Sequence, residues 1–199
     1  NGRPAVYVLD SLDALSDDAE QKREIGDGSY GGSKPKKLGE LFRRLVKQIE
    51  NSKCLVIIIS QIRDKLNVTF GETKTRSGGR ALDFYASQVI WLAEMGKLKK
   101  VIDKVERVTG IEVKANCKKN KIGLPFRQCQ FPLLFGYGID DVTAGAEWLI
   151  DVGREEKLQS LGLSKAGYKV RLANLRNKGG DEMKELRSAL NAIVDEEWT

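Results

Sequence analysis

Two short apolar runs, Ala5–Asp10 (AVYVLD) and Cys54–Ser60 (CLVIIIS), constrain this chain more than any other feature. Neither alternates polar with apolar residues. Each therefore reads as a strand buried on both faces, as in a parallel sheet covered by helices. Between them Leu38, Leu41, Phe42, Leu45, Val46 and Ile49 recur at helical spacing, with Arg43, Arg44 and Lys47 on the other face. The pattern predicts a strand–helix–strand unit with a right-handed crossover. Two long polar stretches, Ser16–Lys37 and Arg63–Gly79, then follow the carboxyl ends of the two strands. Ligands of open α/β sheets bind at that edge.

Further along, a helix is expected over Ala81–Ser87 and strands over Gln88–Ala93, Ile111–Asn116 and Arg127–Phe135, with Leu124-Pro125 as a turn. Pro132 interrupts the last of these, which predicts an edge or bulged strand. After Gly136–Gly138 the composition turns helical and acidic, over Ala146–Val152, Glu155–Leu161 and Glu182–Trp198. A boundary near Gly138 would separate an α/β core, residues 1–138, from a small α+β domain, residues 139–199. The longest apolar run, Leu55–Ile59, is far too short to cross a bilayer, and no signal-peptide pattern opens the chain. Asn1 in place of Met, with a strand starting a few residues later, predicts an N-terminally truncated chain.

Charge and cysteine usage narrow the function classes. Residues 140–199 carry nine basic and twelve acidic residues, whereas residues 1–139 carry 25 basic and 16 acidic. A basic body suggests a polyanionic partner, nucleic acid first, against the plainer reading of a solvated mixed-charge surface. The three cysteines, Cys54, Cys117 and Cys129, form no Cys-x-x-Cys pair, which argues for a reducing compartment and against a zinc site. The chain has no histidine, so nucleophile–His schemes and His-ligated metals are excluded.

Val6–Asp10 followed by Ser11 fits a Walker B strand, whose rigid end holds one carboxylate where Mg²⁺ meets nucleotide phosphates through water. Any buried strand can end in Asp, so the pattern alone is weak. Ser60-Gln61 ends the next strand, and an amide there can bond a γ-phosphate or serve as a simple strand-end cap. Gly26–Gly31 has GxGxxG spacing, but no strand precedes it and Lys34-Pro35 follows where a helix should open. Lys34 is not in a G-x-x-x-x-G-K-[ST] frame, and no Walker A motif occurs in the sequence. Lys114, Lys118, Lys119 and Lys121 form a dense cluster, either an exposed hairpin face or a phosphate contact.

Taken in order, these segments resemble the RecA recombinase family. The strongest match is Gln61–Ser87, QIRDKLNVTFGETKTRSGGRALDFYAS, followed by Val113–Phe126 with Lys119-Asn120-Lys121 and Pro125-Phe126, and Val8–Leu15 with Glu24–Asp27. The resemblance implies a RecA-type P-loop NTPase core with a mostly parallel sheet. It implies an ATP- and Mg²⁺-dependent recombinase that polymerises as a helical filament on single-stranded DNA and pairs it with duplex DNA in the cytoplasm, with no membrane partner. By this resemblance Asp10 is the Walker B acid and carries the Mg²⁺ through water, Ser11 adjoins the nucleotide, and Gln61 senses the γ-phosphate. Lys119 and Lys121 would reach the ATP of a neighbouring subunit, and Phe84 would lie at the subunit interface. Residues 62–79 would form the second DNA-binding loop and residues 24–32 the first, with Arg43, Arg63, Lys65, Phe70, Lys74, Arg76, Gly78 and Gly79 meeting DNA.

The sequence also departs from the family. Thr73-Lys74 replaces the usual Pro-Glu, Asp83 stands where Lys is common, and the first loop is slightly longer and carries Lys34, Lys36 and Lys37. These differences point to a divergent, phage-type member. The P-loop and the catalytic glutamate would lie upstream of Asn1, so these residues alone are not expected to hydrolyse ATP. Two rivals remain: a non-hydrolysing accessory or regulator with this fold, and a ring-forming helicase-type ATPase.

Overall fold

The computed structural model describes residues 4–16, 22, 33–64, 74–76 and 79–198, which fall into two compact units meeting at Ser87/Gln88. In the first unit the elements are β1 (Ala5–Leu9), a 3-10 turn (Leu12–Ala14), α1 (Ser33–Asn51), β2 (Cys54–Ile58), β3 (Ile62–Asp64), β4 (Lys74–Arg76) and α2 (Gly79–Tyr85). Strands β1 and β2 pair in parallel, from Ala5 opposite Cys54 to Leu9 opposite Ile58. The helical spacing of α1 turns Leu38 and Phe42 inward. They bury with Leu12 of the turn and Leu82 of α2, flanked by Leu9, Ile58 and Tyr85.

Burial on both faces of β1 and β2 is not what forms. Val6, Val8, Leu55 and Ile57 are 43–64% exposed. Paired residues of a parallel ladder point to one side, so these four share a face opposite that of Leu9 and Ile58, which pack on the core. Within the described residues of this unit the opposite face is covered only at its Leu9 and Ile58 end, and Tyr7 on that face is exposed.

The second unit begins with a four-stranded antiparallel sheet in the order β5 (Gln88–Ile102), β6 (Val105–Asn120), β7 (Gln128–Leu134) and β8 (Gly138–Ile139). Among the described residues a mostly parallel sheet is therefore not found: β1 and β2 pair in parallel, and the larger sheet is antiparallel. The cause is local. Asp103 and Lys104 both have positive φ, 51° and 64°, which suits a two-residue hairpin turn, and such a turn joins only antiparallel strands. Strands β5 and β6 also run well past the predicted Gln88–Ala93 and Ile111–Asn116. Their distal halves are rich in charge, yet the ladder continues to Ile102 opposite Val105, with Lys99 ion-paired to Glu106 at 2.7 Å.

Pro132 sits in β7 without costing a ladder bond. Cys117 donates to the Arg127 carbonyl and Phe135 donates to that of Thr109, so odd residues of this stretch face β6 and even ones face away. The Pro132 carbonyl accepts the Asp140 N–H at 2.9 Å on that outer side.

Past Ile139 the elements are helices rather than an α+β mixture: α3 (Asp141–Asp151), α4 (Glu155–Ser160), α5 (Tyr168–Lys178) and α6 (Asp181–Trp198). They enclose a core of Val142, Ala146, Leu149, Leu158, Leu163, Leu172 and Leu190, with Tyr168, Leu175 and Met183 closing its sides. Gly138, the expected boundary, lies in β8 inside this second unit.

Candidate nucleotide- and nucleic-acid-binding site

The candidate site begins where β1 and β2 end together. Ile59 donates to the Leu9 carbonyl and Leu12 donates to that of Ile59, both at 2.9 Å, so the segment after β1 is stitched to the segment after β2. Asp10 thus stands exposed at one strand end, next to a half-buried Ser11, and Ser60-Gln61 stands at the other. The Ser60 Oγ is buried with no hydrogen-bond partner. An exposed carboxylate at a strand end fits a Mg²⁺ held largely by water and phosphate oxygens. Among the described residues no cluster of three or more Asp, Glu, Cys or His could hold a metal by itself.

Gln61 leads directly into β3, which pairs with β4 in antiparallel register, Ile62 opposite Arg76 and Asp64 opposite Lys74. The two strands are the stem of the loop, whose residues 65–73 lie outside the described residues together with Lys65 and Phe70. Gly78 and the first-loop segment, residues 24–32, also lie outside them. Gly79 is the first residue of α2.

Charge pairs brace this stem. Lys74 Nζ lies 2.5 Å from Asp64, Arg63 lies 3.7 Å from Asp13, and Arg76 is ion-paired with Asp83. The extra positive charge of Lys74 is therefore matched locally by Asp64. Arg76 is only 13% exposed, turned toward α2, while Arg63 is 63% exposed and open to solvent. Arg43, Lys36 and Lys37 lie on the exposed side of α1. Phe84 is 71% exposed, with its ring edge-on to Tyr85 at 5.1 Å.

The lysine cluster belongs to the second unit. Lys114 and the half-buried Lys119 are on β6, Lys118 lies over the Trp91 ring at 4.8 Å, and Lys121 is exposed just beyond the strand. Asn120 orders the turn between the two family-matched lysines: its Oδ1 accepts the Ile122 N–H at 3.1 Å and the Gln88 amide at 3.2 Å. Partial desolvation pushes the Cys129 thiol of β7 above its ordinary value, although the residue itself is exposed.

Sequence reading gathers Asp10, Ser11 and Gln61 at one edge, and the fold brings their strand ends together. It overlooks Asp13 and Asp64, and it marks Asp83 and Asn120 only through the family resemblance, with no structural role for either. The Asx preference for turns could have flagged Asn120. The three aspartates become legible only once the register of the strands is known.

The family model described as RecA N-terminal domain matches residues 2–140. That span contains both strand ends, the loop stem, α2 and the lysine cluster. The chain therefore belongs to the RecA family.

Proposed function

We propose that this chain carries the DNA-binding and nucleotide-sensing part of an ATP-dependent recombinase, one that binds single-stranded DNA as a helical filament and pairs it with duplex DNA. The observation that carries this reading is the continuity from Asp10 and Gln61, at adjacent ends of β1 and β2, into the stem of a polar loop. A γ-phosphate near Gln61 would act on the first residue of that stem, and binding energy differing between two loop states would couple nucleotide to DNA. Arg63, Lys65, Phe70, Lys74, Gly78 and Gly79 supply cations, a stacking ring and close backbone approach. Arg43 adds a cation from α1, and Arg76 serves the stem through Asp83. Asp10 and Ser11 take Mg²⁺ and phosphate, and Lys119 and Lys121 reach a neighbouring subunit's nucleotide, with Phe84 between subunits. ATP hydrolysis requires a Walker A segment in the assembled enzyme, since none occurs among these 199 residues. The three free cysteines suit a reducing, cytoplasmic setting, and no helix among the described residues is long and apolar enough to cross a membrane.

The test is a titration of the chain with fluorescent oligo-dT over a range of salt. Arg63→Ala with Lys65→Ala should lower the slope of log affinity against log salt by about 1.5. An unchanged slope removes both residues from phosphate contact. The same titration with ATP and Mg²⁺ reads the sensor: nucleotide-dependent tightening that survives Gln61→Ala would dismiss that role.

A further inference from the structure

Asp13 stands in the 3-10 turn three residues after Asp10, and its side chain is only 6% exposed. The turn is rigidly seated, because Leu12 beside it is fully buried and bonded to the Ile59 carbonyl. From there the carboxylate reaches across to a segment 48 residues away in sequence. Its Oδ2 accepts the Gln61 backbone N–H at 2.8 Å, and its Oδ1 lies 3.7 Å from the Arg63 guanidinium. A buried carboxylate is costly unless such partners satisfy it, so the contact fixes the positions of both. It bridges the turn behind the proposed Mg²⁺ carboxylate, the backbone of the proposed sensor and a cation of the proposed DNA loop.

We propose that Asp13 is a positioning residue that clamps Gln61 by its amide and holds Arg63 in check by its charge. This rests on the function proposed above for Gln61 and Arg63. The two halves of the clamp are separable by chemistry. Asn at this position keeps an oxygen for the Gln61 N–H but no longer attracts the guanidinium, whereas Ala keeps neither.

The experiment uses the whole chain as wild type, Asp13→Asn and Asp13→Ala. Amide hydrogen exchange is read at Gln61, with the Ile59 amide, bonded to the Leu9 carbonyl, as the internal control for folding. Loss of a hydrogen bond to a charged group should speed Gln61 exchange at least about tenfold in Asp13→Ala relative to Ile59. Asp13→Asn should restore most of the protection. Equal exchange in wild type and Asp13→Ala overturns the clamp; if Asp13→Ala does not fold, failure of Asp13→Asn to protect Gln61 overturns it instead.

The charge half is read by oligo-dT affinity at low salt. Asp13→Asn should tighten binding by about two- to fivefold by freeing Arg63 for phosphate, and Arg63→Ala should abolish that gain. A gain that persists with Arg63→Ala rules out this pairing as its route. A wild-type chain that does not bind oligo-dT defeats the DNA-binding reading and the charge half, while the exchange measurement still decides the amide clamp.

Discussion

Arg76, at the end of β4, is ion-paired with Asp83 on α2 across the base of the loop stem. Asp83 is one of the positions at which this chain departs from its family resemblance, and the partner it has found explains the departure. A lysine there would face a guanidinium that is only 13% exposed. Asp83→Lys should destabilise the first unit by about 1–2 kcal/mol, between the cost of breaking an exposed and a buried pair. Arg76→Glu in the same chain should recover most of it. Urea unfolding followed by circular dichroism reads both; full stability in the Lys variant would show the pair to be idle.

The second unit holds a more deeply buried pair. Asp140 is 2% exposed, caps α3 by accepting the Thr143 N–H at 3.3 Å, and is ion-paired with Arg176 of α5, whose guanidinium lies over Tyr137. Arg176→Ala leaves a buried carboxylate without its cation and should cost about 3 kcal/mol. Asp140→Asn keeps a capping oxygen and should cost less than Asp140→Ala. Thermal unfolding of the three variants gives the order directly.

Two carboxyls of this unit should give opposite pH dependences. Glu112 is pushed above its ordinary value of 4.5 by burial and then by the neighbouring Glu147, with Lys169 opposing. Its folded form holds the proton more tightly. The stability it contributes is thus present below the unfolded pKa and lost as pH rises through the folded value. Glu197 is held low, chiefly by the hydrogen bond from Arg154, so its contribution is present above the unfolded value and lost as pH falls through the folded one. In urea midpoints taken across the acidic range, Glu112→Gln should flatten the decline with rising pH and Glu197→Gln the decline with falling pH. The same sign for both would contradict the assignments.

Gly110 of β6 is required by contact rather than by backbone freedom. A Cβ there would stand 2.5 Å from the Leu133 carbonyl oxygen and 3.1 Å from the Leu134 Cα, both on the paired strand. Gly110→Ala should cost about 1–3 kcal/mol, since backbone on both sides must move. Gly96→Ala, with nothing within 4 Å of its Cβ, is the control and should change stability little. Equal midpoints for the two variants would mean that the β6–β7 pairing yields.

Much of the first unit is legible from periodicity: the two strands, α1 and α2 lie close to where apolar spacing puts them. The count of covered faces is not legible, because Val6 and Leu55 are as apolar when exposed as when buried. The long hairpin is hidden for the opposite reason. Lys97, Lys99, Lys100 and Glu106 carry no strand signal, and the extension is held by backbone pairing and a two-residue turn. Helix α5 is masked by its Lys, Arg and Asn content, although Tyr168, Leu172 and Leu175 form its buried stripe. At the candidate site, Asp10 and Gln61 announce themselves as strand ends. Asp13 does not, because its importance comes from a partner 48 residues away.

The β5–β6 hairpin outruns its neighbour: β7 pairs with β6 only from Gly110 to Asn116. Beyond that point, within this unit's described sheet, Val101, Ile102, Val105 and Val108 are exposed on strands with unpaired outer edges. Such edges ordinarily template pairing between molecules, and lysines on them prevent it. Lys100, Lys104 and Arg107 stud this stretch, so copies of the chain repel one another at the place where they could otherwise add strands. Solubility of this protein should therefore rest on that repulsion and fall as salt screens it, a sensitivity that concentration and storage buffers will expose.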